Sequence, residues 1–375
     1  MKTYNLFYAV MALLIIGCNK SDDGNDSDQP KNEASDYSIL IDSGDMLSGK
    51  LLTANASEFE INTGVSVFKT VTKPQLTFES AGVLSMYSKN TDCSGNVVVY
   101  DFNENTSENY TVFNDMPSCS RRASAILHTD SAIYIAYVDD ISEEESNYFV
   151  RIVDISTTAP SFVDVEVEQQ PFDLAFANNR LFVLTFNEKS SDDFKILAIK
   201  ADTFDIILSM NLDIGAKRIF SNPDGNIVIA YPNLHGTLNS STMAVAYTKY
   251  GEGTEPNFFQ SRFRRFDAAG KMYYDVPSGS HSTYPTVAAI YDFDTNGSVL
   301  YAYENFLTET QRNFEYEIKS TTAVAYDEKN NLLLVGYSKS GAGNKGGMLR
   351  IKLSAKPELI DNLDLEGAPY AFFIK

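Results

Sequence analysis

Tryptophan is missing from this sequence and histidine nearly so, with His128, His235 and His281 the only three in 375 residues. No two of them have a metal-ligand spacing, which excludes a local histidine metal motif. Missing too are the short signatures of common catalytic machinery: there is no G-x-S-x-G elbow, H-E-x-x-H helix or P-loop. Cations are scarce, 30 Lys and Arg against 50 Asp and Glu, for a formal net charge of −20. That balance argues against general affinity for nucleic acid or anionic lipid. No stretch reads as a convincing amphipathic helix.

What is present is a repeat. Asp224-Gly225-Asn226-Ile227-Val228-Ile229-Ala230-Tyr231 is a turn feeding a buried strand, and close echoes end on Tyr87, Tyr137, Phe186, Tyr303 and Tyr337. A period near 50 residues marks propeller blades or helical arrays. An apolar run precedes each echo, as in 123–127, 172–176, 216–220, 287–291 and 323–326, with the small residues that suit an innermost strand. After the echoes the pattern alternates, as in 148–155 and 194–200, and then gives less regular runs such as 162–167 and 206–210. Four antiparallel strands per repeat is the blade of a β-propeller. The run 367–374 reads as a first strand without a second, and 37–42 can supply its partner. We therefore expect an all-β chain: one propeller of about seven four-stranded blades, six or eight being the alternatives, closed by pairing of its terminal strands.

The amino terminus reads differently. Lys2 precedes the apolar run 6–16, which has the length of a secretory core and is too short to span a bilayer. It ends in Leu14-Ile15-Ile16-Gly17-Cys18, which resembles the bacterial lipobox, so Cys18 is the expected lipidation site. The polar, acidic segment that follows cannot form a core. The expected organisation is a signal peptide at 1–17, a lipidated tether at 18–36 and the propeller at 37–375. The remaining Cys93 and Cys119 form an even pair in an exported chain and read as a disulfide, with two free thiols as the alternative.

Candidate site residues follow from propeller geometry, in which the loops entering the inner strands gather near the axis on one face. Arg121, Arg122, Lys217, Arg218 and Lys319 lie at such entries, with Phe172, Tyr284 and Tyr370 beside prolines. Cations and rings around one mouth favour an anionic ligand that tolerates aromatic contact. The cluster Arg262-Phe263-Arg264-Arg265-Phe266 alternates rings and cations and reads as a solvated blade face. Gly341 to Gly346 matches G-x-G-x-x-G but precedes a strand-like pattern, so it reads as a hairpin loop. Asp292 to Gly297 copies half of a calcium loop but lacks the closing Glu, Tyr303 standing there, and reads as a turn. No metal or cofactor is expected.

The lipobox, acidic tether and propeller body together resemble surface lipoproteins of Bacteroidetes that accompany TonB-dependent outer-membrane transporters. The opening 37–45 and Gly49-Lys50-Leu51-Leu52 are similar to propeller lipoproteins that capture ferric siderophores. The resemblance implies a non-enzymatic, outer-membrane-anchored protein, exposed at the cell surface or facing the periplasm, that captures a small anionic nutrient for such a transporter. The alternatives are a propeller hydrolase of lactonase type and a surface scaffold or adhesin.

Overall fold

The strands of this chain are short, β-branched and aromatic, and they assemble around an axis. The computed structural model describes residues 33–375 apart from 117, 143, 158–159, 191 and 342. Cys18, the lipobox and most of the expected tether lie outside the described residues. The described chain forms seven sheets, six of four strands and one of five, that make a seven-bladed β-propeller. Its only described helical pieces are two short 3-10 turns and one π turn.

The innermost strands of blades 1 to 7 are Leu76–Ser80, Arg122–His128, Gln170–Ala177, Arg218–Ser221, Arg265–Phe266, Ile318–Asp327 and Ala368–Ile374. They start 46 to 53 residues apart, so the repeat is more even than the aromatic echoes suggest. In blade 2 the second strand, Ala132–Asp140, is buried along its first seven residues, because neighbouring blades cover both of its faces. The outermost strand of that blade, Ser161–Val167, is half exposed. Continuous apolar runs therefore mark the inner part of a blade, and alternation marks its outer part.

The ring closes through its termini. The carboxy-terminal strand is the innermost of blade 7, and Ser35–Asp42 pairs with it as second strand, Tyr37 opposite Ile374 and Leu40 opposite Ala371. Met46–Ala54 is the third strand, with Phe59–Ile61 and Val71–Thr72 sharing its outer edge. A network that no solvent reaches fixes this blade against blade 6: Ser35 and Tyr37 donate to Asp327, and Asn330 donates to both Ser35 and Asp327.

Blade 5 departs from the expected strand assignment. The echo ending on Tyr303 contains its fourth strand, Gly297–Tyr301, and the apolar run 287–291 belongs to its third, Thr286–Asp292. The second strand is Met272–Pro277, and the innermost strand has only two residues, Arg265 and Phe266. The Asn-Gly turn expected to open a second strand instead joins the third to the fourth. His235 lies in the third strand of blade 4, Leu234–Leu238, and is buried.

Candidate functional site: an arginine-lined central channel

All seven innermost strands contribute to one cavity of about 650 Å³ that follows the propeller axis. Its lining runs from strand entries, at Leu76, Phe172 and Arg218, to the turns at the strand exits, at Gly82, Asn222 and Glu328. Two local features give it its shape. The innermost strands of blades 4 and 5 are short, with four and two residues, and leave room beside the axis. Other innermost strands carry β-bulges near their entries, where Ser124, Phe172 and Tyr370 are the unpaired extra residues. A bulge bends the strand and re-aims its side chains, here beside the cavity.

Four guanidinium groups converge on this space. Arg218 opens the innermost strand of blade 4, while Arg262, Arg264 and Arg265 come from the entry to blade 5. The expectation that 262–266 forms a solvated blade face is thus corrected. The segment meets blades 1, 4 and 7 from the entry to blade 5. Arg262 lies over the Tyr370 ring of blade 7, at 4.2 Å, and Phe263 meets the same ring edge-on at 5.7 Å. Arg264 lies 4.9 Å over Phe220 of blade 4. Arg265 donates from Nε to Glu79 of blade 1, at 3.2 Å, and lies 5.0 Å from the Phe373 ring of blade 7.

These cations are incompletely neutralised. Arg218 and Arg264 both donate through Nη1 to the Ser261 carbonyl oxygen, at 2.6 and 2.9 Å, and Arg264 Nη1 also reaches the Phe258 carbonyl at 3.5 Å. The nearest carboxylate to Arg218, Asp173, is 3.7 Å from its Nε and also accepts from the Ile219 amide at 2.8 Å. Among the described residues, no carboxylate lies within ion-pair distance of Arg262 or Arg264, and no acceptor meets Arg265 Nη2. Burial, with Arg218 adding to it, pulls the Arg264 guanidinium down to about 9. Burial also pushes the Asp173 and Asp275 carboxyls up, against the pull of Arg218 on the first and of a Ser261 hydroxyl bond on the second. Guanidinium groups left short of acceptors beside a cavity make a site that an oxyanion would stabilise.

The residues expected at the mouth divide. Phe172 and Arg218 line the cavity, and Tyr370 borders it through Arg262. Arg121 is instead buried between Phe113 and Tyr137, with its Nη1 donating to the Met116 carbonyl. Arg122 makes a two-point ion pair with Asp140, at 2.8 and 3.1 Å. The acidic end of the second strand of blade 2 thus occupies both of them. Lys217 and Lys319 are exposed and outside the lining. Tyr284 precedes the third strand of blade 5 and packs edge-on against Tyr303 at 5.0 Å. Cys93 and Cys119 form a disulfide, Cα atoms 4.9 Å apart, that ties a loop of blade 1 to the entry of blade 2. Among the described residues no group of three His, Cys, Asp or Glu side chains could hold a metal ion.

The channel residues missed from the sequence are Arg262, Arg264, Arg265 and Glu79. One signal could have found them: Arg265 follows Arg218 by 47 positions, the spacing of the other innermost strands.

No family model matches the chain, and no curated protein matches it. Solved propellers do. A candidate 6-phosphogluconolactonase from Bacteroides uniformis is similar over 92% of this chain and 100% of its own, at 9% identity and a TM-score of 0.54. A second, from Bacteroides fragilis, is similar over 92% and 99%, at 11% identity and a TM-score of 0.52. Puromycin hydrolase is similar over 88% of this chain at 10% identity and a TM-score of 0.50, and the chain spans 54% of its length. At such identities the likeness is one of fold.

Proposed function

We propose that this chain is a binding lipoprotein that captures a small anionic nutrient in its central channel and delivers it to a TonB-dependent outer-membrane transporter. The observation that carries the reading is the convergence of Arg218, Arg262, Arg264 and Arg265 on one cavity in a protein of net charge −20. The cavity volume lies in the ~300 to 1,000 Å³ range of small-molecule sites. Phe172, Phe220 and Phe263 beside the cations suit an anion with a flat or aromatic body, of which a ferric catecholate is one. The lipobox ending at Cys18 and the acidic segment after it support anchoring at the outer membrane.

The test is calorimetric titration of the purified propeller with ferric siderophores, sugar acids and phosphorylated sugars. Binding of at least one, weakened about tenfold or more in Arg264→Gln, is the expected outcome, since loss of a charged partner in a buried site costs that much. Failure of every anion to bind overturns the reading.

A second reading has one observation of its own. Asp173, with its carboxyl pushed up by burial, borders the cavity beside Arg218. A carboxyl that can take up a proton beside a cation that can steady an oxyanion is a hydrolase arrangement. An anionic lactone, the substrate class that the name of the similar Bacteroides propellers indicates, would then be cleaved. Lactone hydrolysis lost in Asp173→Asn with binding retained would establish this reading; binding without turnover rejects it.

A further inference from the structure

The four channel arginines form two pairs, on different sides of the axis. Arg218 and Arg264 belong together, because both donate to the Ser261 carbonyl oxygen. This pair faces blades 3 and 4, with Asp173 the only carboxylate in ion-pair distance of it among the described residues. Arg262 and Arg265 belong to the other side. They lie over Tyr370 and Phe373 of blade 7, and Glu79 of blade 1 is the corresponding single carboxylate.

Each pair therefore has one carboxylate within ion-pair distance of two guanidinium groups, while Asp275 acts on Arg262 and Arg264 from farther away and Asp267 and Glu328 also line the cavity. The second pair also holds Arg265 Nη2, a buried donor with no acceptor among the described residues. A buried donor left without an acceptor is costly, and a ligand oxygen would remove that cost. Phe220 and Phe263 line the same cavity, together with polar groups such as Thr77, Asn103 and Asn222.

We infer that the channel takes a ligand with two separate oxyanion groups on a short spacer, one group held by Arg218 and Arg264 and the other by Arg262 and Arg265. The inference rests on the reading of the channel as an anion site and narrows it. A dicarboxylate and a phosphorylated carboxylate share this chemistry. A single compact anion can satisfy only one pair. It leaves the other pair without an oxyanion and, where that pair is the second, leaves the orphaned donor unmet.

The test is calorimetry at constant ionic strength. Succinate, glutarate and terephthalate form the dicarboxylate arm, 3-phosphoglycerate the phosphorylated arm, and acetate and inorganic phosphate are the single-centre controls. The expected result is that one of the two arms contains a ligand bound about tenfold or more tightly than either control, because a second charged contact adds at least that factor. Which arm binds separates the two sources. Arg262→Gln and Arg264→Gln should each bring that ligand down to the affinity that the parent shows for the controls. Arg262 is exposed and makes no hydrogen bond to a described residue, so its variant tests the idea even if Arg264→Gln fails to fold. Acetate or phosphate binding as tightly as every two-headed ligand overturns the two-pair inference and leaves the anion site standing. No binding by any of the six overturns the two-pair inference, and only failure of the siderophore and sugar-anion titrations as well overturns the anion site.

Discussion

Tyr37 donates its phenolic hydrogen to Asp327 at 2.5 Å, joining residues 290 positions apart with both side chains shut off from solvent. The bond fastens the second strand of the closing blade to the last residue of the innermost strand of blade 6. Tyr37→Phe leaves Asp327 with Ser35 and Asn330 as donors but one hydrogen bond short. The expected loss is about 1 to 3 kcal/mol of unfolding free energy, read from the urea midpoint. A pH test is independent of that figure. Burial, and then Asp327, raise the Tyr37 pKa well above its ordinary 10.0. A folded pKa above the unfolded one means that this contribution is complete below pH 10 and is lost as pH rises beyond it. The alkaline fall in stability should be shallower in Tyr37→Phe than in the parent, and equal slopes would sink the assignment.

That closure was legible in the sequence, and the channel was not, for one physical reason. Ala371, Phe372 and Phe373 are buried between blades, so they form an uninterrupted apolar run that no loop would carry. The strands of five other blades show themselves the same way. Arg262 to Phe266 obeys no such rule: a segment that lines a polar channel and one that faces water both alternate cations with rings. Its innermost strand keeps two paired residues, too few for a periodic signal. The turn at Asn296 then drew the repeat into the wrong strand of blade 5. Turn, apolar run and closing aromatic describe any blade hairpin, whichever pair of strands it joins. Arg121 and Arg122 were misplaced because their partners, Asp139 and Asp140, follow them by 18 residues and reach them only through strand pairing.

Acid should weaken the fold before carboxylates titrate. Burial pulls both His128 and His235 down to about 4 from an ordinary 6.5, against the opposing pull of Asp130 and Asp101 on the first. Their folded pKa values lie below the unfolded ones, so each contributes in full above pH 6.5 and loses that contribution as pH falls toward 4. Between pH 6.5 and about 5 the loss is on the order of 2 kcal/mol per histidine. Urea midpoints near pH 7 and pH 5 measure it. His235→Gln should roughly halve the drop; an unchanged drop would show that His235 is not one of the groups responsible.

Gly346, the last glycine of the G-x-G-x-x-G sequence, is required by packing. A Cβ built there would stand 2.5 Å from the Tyr337 carbonyl oxygen and 2.7 Å from the Ala368 Cα, both backbone atoms that cannot swing away. Gly297, in the Asn-Gly turn, has only the Thr295 hydroxyl at 3.5 Å, and the left-handed conformation of that turn is carried by Asn296, at φ 52°. Gly346→Ala should cost about 1 to 3 kcal/mol through overpacking between blades 6 and 7, and Gly297→Ala should be near neutral. Thermal unfolding of the two variants side by side decides it. Equal effects would place the need for glycine in chain conformation instead of in contact between blades.

Arg151, in the third strand of blade 2, is buried between the Phe113 and Phe162 rings, at 4.5 and 4.2 Å. It makes two-point contacts with Asp115 and with Asp164, each bond between 2.7 and 2.9 Å. Asp115 belongs to the link between blades 1 and 2, so the guanidinium clamps one blade to the next. Arg151→Met keeps the stem and the ring contacts but leaves two carboxylates facing each other. Because both keep roughly a fifth to a quarter of their surface in solvent, the expected cost is toward the lower end of the range for broken buried pairs, about 3 kcal/mol. Arg350 does the corresponding work in blade 6 through Asp361 and the Asn55 carbonyl of blade 7. With no partner in common, the two substitutions should add to within about 0.5 kcal/mol in the double variant. Neither residue lines the channel, so anion affinity at a temperature where both variants remain folded should equal that of the parent. A change in affinity with Arg151→Met would mean that the spacing between blades sets the geometry of the arginine pairs.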